Sequence, residues 1–144
     1  MELDIYGWNI LKKHLPEVSF SKGVLLNTLK KEFSSYKVDS LNIVFTSKDH
    51  IRKLNREFRK KNSSTDVLSF LINEKPLEGE VYICLECILN SNEKEVLRLV
   101  VHGFLHIVGY HHDRYFDEDS KEKEEMFVIQ EEILENIYRT LKKK

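Results

Sequence analysis

Apolar side chains recur along the chain in two rhythms, and each rhythm predicts a different kind of element. Leu3 and Ile5 alternate with polar neighbours, as do Leu41, Ile43 and Phe45, which predicts two short strands with side chains pointing alternately to opposite sides. Leu25, Leu26, Leu29 and Phe33 repeat instead at helical spacing behind Ser21, a residue able to cap a helix by accepting from an orphan amide. Ser47 starts a second such helix, with Ile51, Leu54 and Phe58 on its buried face and Arg52, Arg56 and Arg59 on the neighbouring stripe. The apolar runs from Val67 to Ile72 and from Val81 to Leu85 read as strands, with Pro76 and Gly79 in the turn between them. Asn92, with Glu95 three residues on, opens a helix that ends near Gly109. Asp119, with Glu122, opens a last one whose Met126, Ile129, Ile133, Leu134, Ile137 and Leu141 face inward.

Strands alternating with helices predict an α+β (α/β-like) fold, a small mixed sheet of about four strands packed with helices. A chain of 144 residues suits a single domain spanning 1–144, long enough to bury roughly 68–70% of its unfolded surface. The most apolar helix, around Leu97 to Val108, is expected to be the buried centre of the fold.

That same helix carries two imidazoles. His102 and His106 are four residues apart, so they stand one above the other on one helical face and can offer nitrogens to one point. Gly109 can end the helix with a positive φ, after which the chain can swing His112 back toward the pair. His111 stands beside it, and spacing alone does not separate the two as a third ligand. Two polar rings among aliphatic residues each need a partner, and one divalent ion satisfies both. Three neutral imidazoles with an open position describe a catalytic zinc site, one ion per chain; nickel or copper suits the same nitrogens. The spacing is also that of metzincin peptidases, whose general-base glutamate directly follows the first histidine. Here that position is Gly103, so the expectation moves from proteolysis to another metal-assisted hydrolysis.

His102-Gly103-x-Leu105-His106-x-x-Gly109-Tyr110-x-His112 resembles the YbeY family of bacterial rRNA-maturation endoribonucleases. So do Leu54-Asn55-x-x-Phe58-Arg59, Thr65-Asp66-Val67-Leu68-Ser69-Phe70 and Gly79-Glu80-Val81-x-Ile83. The resemblance implies a small metalloprotein with His102, His106 and His112 as zinc ligands and Arg59 as an active-site cation. It further implies cleavage of single-stranded rRNA precursor in 16S 3′-end maturation and ribosome quality control; contact with the small subunit, or with a basic ribosomal protein docking on the acidic helix from Asp117 onward, is a further expectation. The chain departs from the family pattern at His111, where aspartate is usual, and at Leu71, where proline is frequent. It departs again at Cys84 and Cys87, usually serine and threonine, and in a shorter segment between Ile83 and His102.

The net charge of −1 gives no bulk attraction for nucleic acid, but its distribution does. Residues 48–61 carry +5 and residues 117–135 carry −7. Arg52, Arg56, Lys60 and Lys61 can track an RNA backbone, and the fork of Arg59 can hold phosphate oxygens in two parallel bonds. The acidic helix reads most simply as a solubilising face. Asp66, His111 and Asp113 compete for two roles, proton carrier or orienter of a ligand imidazole. Cys84 and Cys87 lack the context of a redox or zinc motif and read as structural thiols. The first residues have no signal-peptide pattern and the longest apolar run is too short to span a bilayer, so a cytoplasmic protein without membrane contact is expected. Two other readings stay open: a metzincin-like peptidase using His111 or Asp113 as base, and a non-catalytic ribosome assembly factor stabilised by zinc.

Overall fold

The computed structural model describes residues 1–89, 91–110 and 121–143, with side chains of the last helix described from Glu124. The elements run β1 (Glu2–Tyr6), α1 (Trp8–His14), α2 (Lys22–Phe33), β2 (Ser40–Thr46), α3 (Lys48–Arg59), β3 (Val67–Glu74), β4 (Leu77–Cys84), α4 (Glu93–Ile107) and α5 (Lys121–Lys142). A single 3₁₀ turn, Leu85–Cys87, follows β4. The strands form one mixed sheet in the order β1-β2-β4-β3. β1, β2 and β4 are parallel, and β3 lies antiparallel to β4 at the edge. This is the α+β arrangement expected from the alternation of strand and helix patterns.

Three of the predicted caps hold helix starts; Asp119, expected to open the last helix, lies outside the described residues. Ser21 accepts from the Val24 amide, Ser47 from His50 and Asn92 from Glu95, each satisfying an orphan donor and each contributing about 1 kcal/mol. Three expectations need correction. Helix α1 was not expected, because it has only seven residues, no acidic first turn and no side-chain cap; Gly7 enters it at φ +76, beneath the Phe45 carbonyl. Gly79 does not lie in the β3–β4 turn but inside β4, paired with Leu41 and Leu71. Phe58 does not face the core: it is 65% exposed, because the last turn of α3 stands at the edge strand β3, where the ring meets Phe70.

Register divides the sheet into two unlike faces. Ile5, Ile43, Val81 and Ser69 align across it and, with Leu3, Leu41 and Gly79, point toward α4. There the main core gathers side chains from α2, α4 and α5 around the stacked rings of Phe33 and Phe104, 3.7 Å apart. Ile51 of α3 packs on the opposite face against Leu68 and Cys84, with Leu54, Phe70 and Tyr82 only partly covered.

Candidate functional site

Glycine decides how closely α4 approaches the sheet. A Cβ on Gly103 would sit 2.5 Å from Val81 Cγ1 and 3.0 Å from Ser69 Oγ, and one on Gly79 would sit 2.6 Å from Ile107. Bare backbone is therefore what fits at both places, and the Ser69 hydroxyl uses the closeness to donate to the Gly103 carbonyl at 3.1 Å. The position after the first histidine has no room for any side chain, so a peptidase-type glutamate does not fit there.

With α4 so placed, its buried residues include Val96, Leu97, Val100, Val101, Phe104 and Leu105, while His102 and His106 are half-buried on the remaining face. Their Nε2 atoms lie 3.0 Å apart, with rings at 78°. Two nitrogens on one tetrahedral zinc, at about 2.0–2.1 Å each, are separated by about 3.3 Å. The pair fits two ligands of one ion.

The tautomer of His102 is set from outside the pair. Its Nδ1 lies 2.7 Å from Gln130 Oε1 on α5. Gln130 cannot turn its amide round, because its Nε2 donates to Glu131 Oε2 at 3.1 Å and a carboxylate only accepts. The Gln130 oxygen therefore faces the ring, the His102 Nδ1 carries the hydrogen, and its Nε2 keeps a lone pair toward His106. Glu131 is in turn gripped by Arg98 of α4 through Nε at 3.0 Å and Nη2 at 3.1 Å, and Arg98 also bonds Glu95. The Arg98 hydrogen bonds hold the Glu131 carboxyl below its ordinary pKa, against the opposing effect of burial. Neither Gln130 nor Arg98 was among the residues expected at the site. The available signal was a lone amide on the apolar stripe of α5, between Met126 and Ile133, in a chain with no other glutamine.

The acidic helix is also more than a solvated face. Glu131 and Glu135 reach Arg98 and Lys94 of α4, and Glu93 of α4 reaches Lys142, tying the two helices together.

Arg52, Arg56 and Arg59 are exposed on α3, which packs on the face of the sheet opposite α4. Lys60 closes α3 in a left-handed conformation, φ 57, and its amide and that of Lys61 both donate to the Asn55 carbonyl. The buried Asn55 side chain donates to the Ser63 carbonyl at 2.9 Å, so one residue anchors the corner that carries Arg59, Lys60 and Lys61. The Phe58 ring meets Phe70 of β3, one residue beyond the Ser69 that bonds α4. The end of α3 is thus level with the histidine pair, on the other side of edge strand β3. Asp66, half-buried, directly precedes β3, and its carbonyl accepts from the Cys84 amide. His111, His112 and Asp113 lie outside the described residues. Just past the C-terminal end of α4, Gly109 has φ +117 with open space around its α-carbon, so backbone conformation rather than room calls for glycine. Cys84 is buried at the end of β4; burial, aided by the Cys87 thiol 2.9 Å away, pushes its pKa up to about 12, which suits an inert thiol. Among the described residues no helix is long and apolar enough to cross a membrane.

Fold and site together define a small α+β protein with a paired-imidazole cradle on a helix pressed against a mixed sheet. The family Endoribonuclease YbeY matches residues 13–138, and the chain belongs to it. It is 38% identical over 124 residues to Endoribonuclease YbeY of Thermotoga petrophila, covering 81% of this chain and 78% of that protein. With that of Persephonella marina it shares 35% over 143 residues, covering 89% and 91%. It is also similar to the solution structure of TM1509 from Thermotoga maritima, with a TM-score of 0.63, 31% identity, and coverage of 98% of this chain and 92% of that one.

Proposed function

We propose that this chain is a metal-dependent endoribonuclease that cleaves single-stranded RNA, acting in the cytoplasm on the 3′ end of 16S rRNA precursor and in ribosome quality control. The observation that carries the metal is the convergence of His102 and His106, Nε2 to Nε2 3.0 Å, with the His102 tautomer set by Gln130. Those two imidazoles, with His112 as the third ligand that the family motif implies, would hold one zinc ion. When bound, such an ion supplies Lewis acidity and hydroxide at neutral pH.

The protein's own part is positioning and charge. Gln130 keeps the His102 lone pair aimed at the site, and the Arg98–Glu131 pair keeps Gln130 in place. Arg59 supplies a planar cation for the charge that grows on the phosphate as the bond breaks. An RNA strand passing over the edge of the sheet at β3 meets both. The lack of space at Gly103 counts against peptidase chemistry of the metzincin kind.

Elemental analysis of the purified protein, paired with cleavage of precursor rRNA with and without chelator, tests the reading. Zinc near one equivalent and chelator-sensitive cleavage are expected. Arg59→Ala should keep the metal and lose about a hundredfold or more in cleavage rate. Full activity in that variant removes Arg59 from the mechanism, and absence of cleavage by the wild-type metal-loaded chain removes the enzyme reading.

A further inference from the structure

The most conspicuous unexplained feature outside the histidine site is an aromatic ring standing in solvent among cations. Phe58 is 65% exposed at the last turn of α3. Arg56 and Arg59 flank it in the chain, Lys60 and Lys61 follow, and Arg52 lies on the same helix, all exposed. A phenylalanine ring in that setting gains nothing from the core and adds apolar surface to an otherwise well-hydrated helix.

The ring is nevertheless held. Phe58 meets Phe70 at 5.4 Å between centroids and 63° between planes, Phe70 meets Tyr82 at 5.7 Å, and Tyr82 meets His50 at 6.0 Å. Edge-on contacts of this kind fix ring orientation while leaving a face open. The ladder is pinned at its far end, where the Tyr82 hydroxyl donates to Glu80 Oε1 at 2.9 Å and His50 Nδ1 lies 2.6 Å from the Thr46 hydroxyl.

We propose that Phe58 is a stacking platform for one unpaired base of an RNA strand, whose neighbouring phosphates are held by Arg52, Arg56, Lys60 and Lys61. The inference rests on the endoribonuclease reading and adds to it a reason for single-stranded substrate. A base can lie on a fixed ring only when it is not paired and stacked within a helix, and every base offers a π face. Charge favours RNA over a protein partner here, since the segment 48–61 carries +5 and its acidic residues are only Asp49 and Glu57. Leu71 and Ile72, exposed farther along β3, add aliphatic surface but no ring.

The test compares two probes by fluorescence anisotropy on the full chain: a labelled single-stranded RNA of about ten nucleotides and the same backbone with abasic riboses. Phe58→Leu keeps an apolar side chain without a π face. It should weaken RNA binding about tenfold or more, leave abasic binding unchanged, and leave the salt dependence unchanged. Phe58→Trp should restore the loss. Replacing Arg52 and Arg56 together by alanine should weaken both probes alike and lower the salt slope by about 1.4. Melting curves confirm that each variant folds, as expected for so exposed a side chain. The stacking role is overturned if Phe58→Leu binds RNA as tightly as wild type, which would leave the ring to a protein partner, or if it weakens both probes equally. Wild-type chain that binds neither probe overturns the endoribonuclease reading as well, so the two failures are distinguishable.

Discussion

The two faces of the sheet show opposite uses of the same four strands. On the α4 side, side chains of one layer press onto bare glycine backbone of the other, Phe33 and Phe104 stack at 3.7 Å, and ion pairs lock α5 across the outside. On the α3 side, Ile51, Leu68 and Cys84 make a small cluster, and beyond it rings and cations face water. Dense packing seats the helix that carries the two imidazoles, which the proposed metal binding would need because ligand geometry must be met within a few tenths of an ångström. A loosely covered, cationic face suits a flexible polymer, for which surface and charge matter more than a single fixed distance. The tightest packing thus stands behind the histidine pair, and the loosest beneath the cationic helix.

Several substitutions would break or sharpen that contrast. The largest effect is expected from Phe104→Ala, which should cost about 3–5 kcal/mol by opening a cavity beneath the histidine helix, while Phe58→Ala should stay within about 0.5 kcal/mol; chemical denaturation of both variants measures the asymmetry. Gln130→Leu deprives the His102 Nδ1 of its acceptor and should weaken the proposed zinc binding about 10- to 100-fold; competition with a chromogenic chelator reads it. Gly103→Ala forces α4 off Val81 and should cost about 1–3 kcal/mol, with the same change at exposed Gly23 as a control that meets nothing.

The smallest effect concerns Arg98→Met. Because Arg98 lowers the Glu131 pKa in the folded protein, its stabilisation is present above the ordinary carboxylate pKa and is lost as pH falls through the lowered value. The variant should therefore be less stable than wild type by up to about 1 kcal/mol at pH 7, with the gap closing in acid. A gap that does not narrow as pH falls would show that Arg98 acts through packing instead.

Much of the fold was legible because local physics decides it. Ser21, Ser47 and Asn92 cap where expected, since an orphan amide is satisfied by whichever hydroxyl or amide oxygen stands one turn before it. Alternation marked β1 and β2 for the same reason, every second residue being buried along β1 and along β2 as far as Phe45. Helix α1 was missed because seven residues carry too little period, and Gly79 was misplaced because a glycine inside a strand looks, in one dimension, like a glycine in a turn.

The spacing of His102 and His106 put two imidazoles on one helical face without any help from the rest of the chain, and the family motifs around them identified the kind of protein. Which groups complete that site was decided only in three dimensions. Gln130 stands on α5, 28 positions from His102, and no periodicity links a side chain on one helix to a ring on another; Arg98, one turn before His102 on α4, was within reach of the helical period, but its grip on Glu131 of α5 was not. The exposure of Phe58 was decided there too, because helical period says which face of α3 a residue occupies but not where the sheet beneath that face comes to an end.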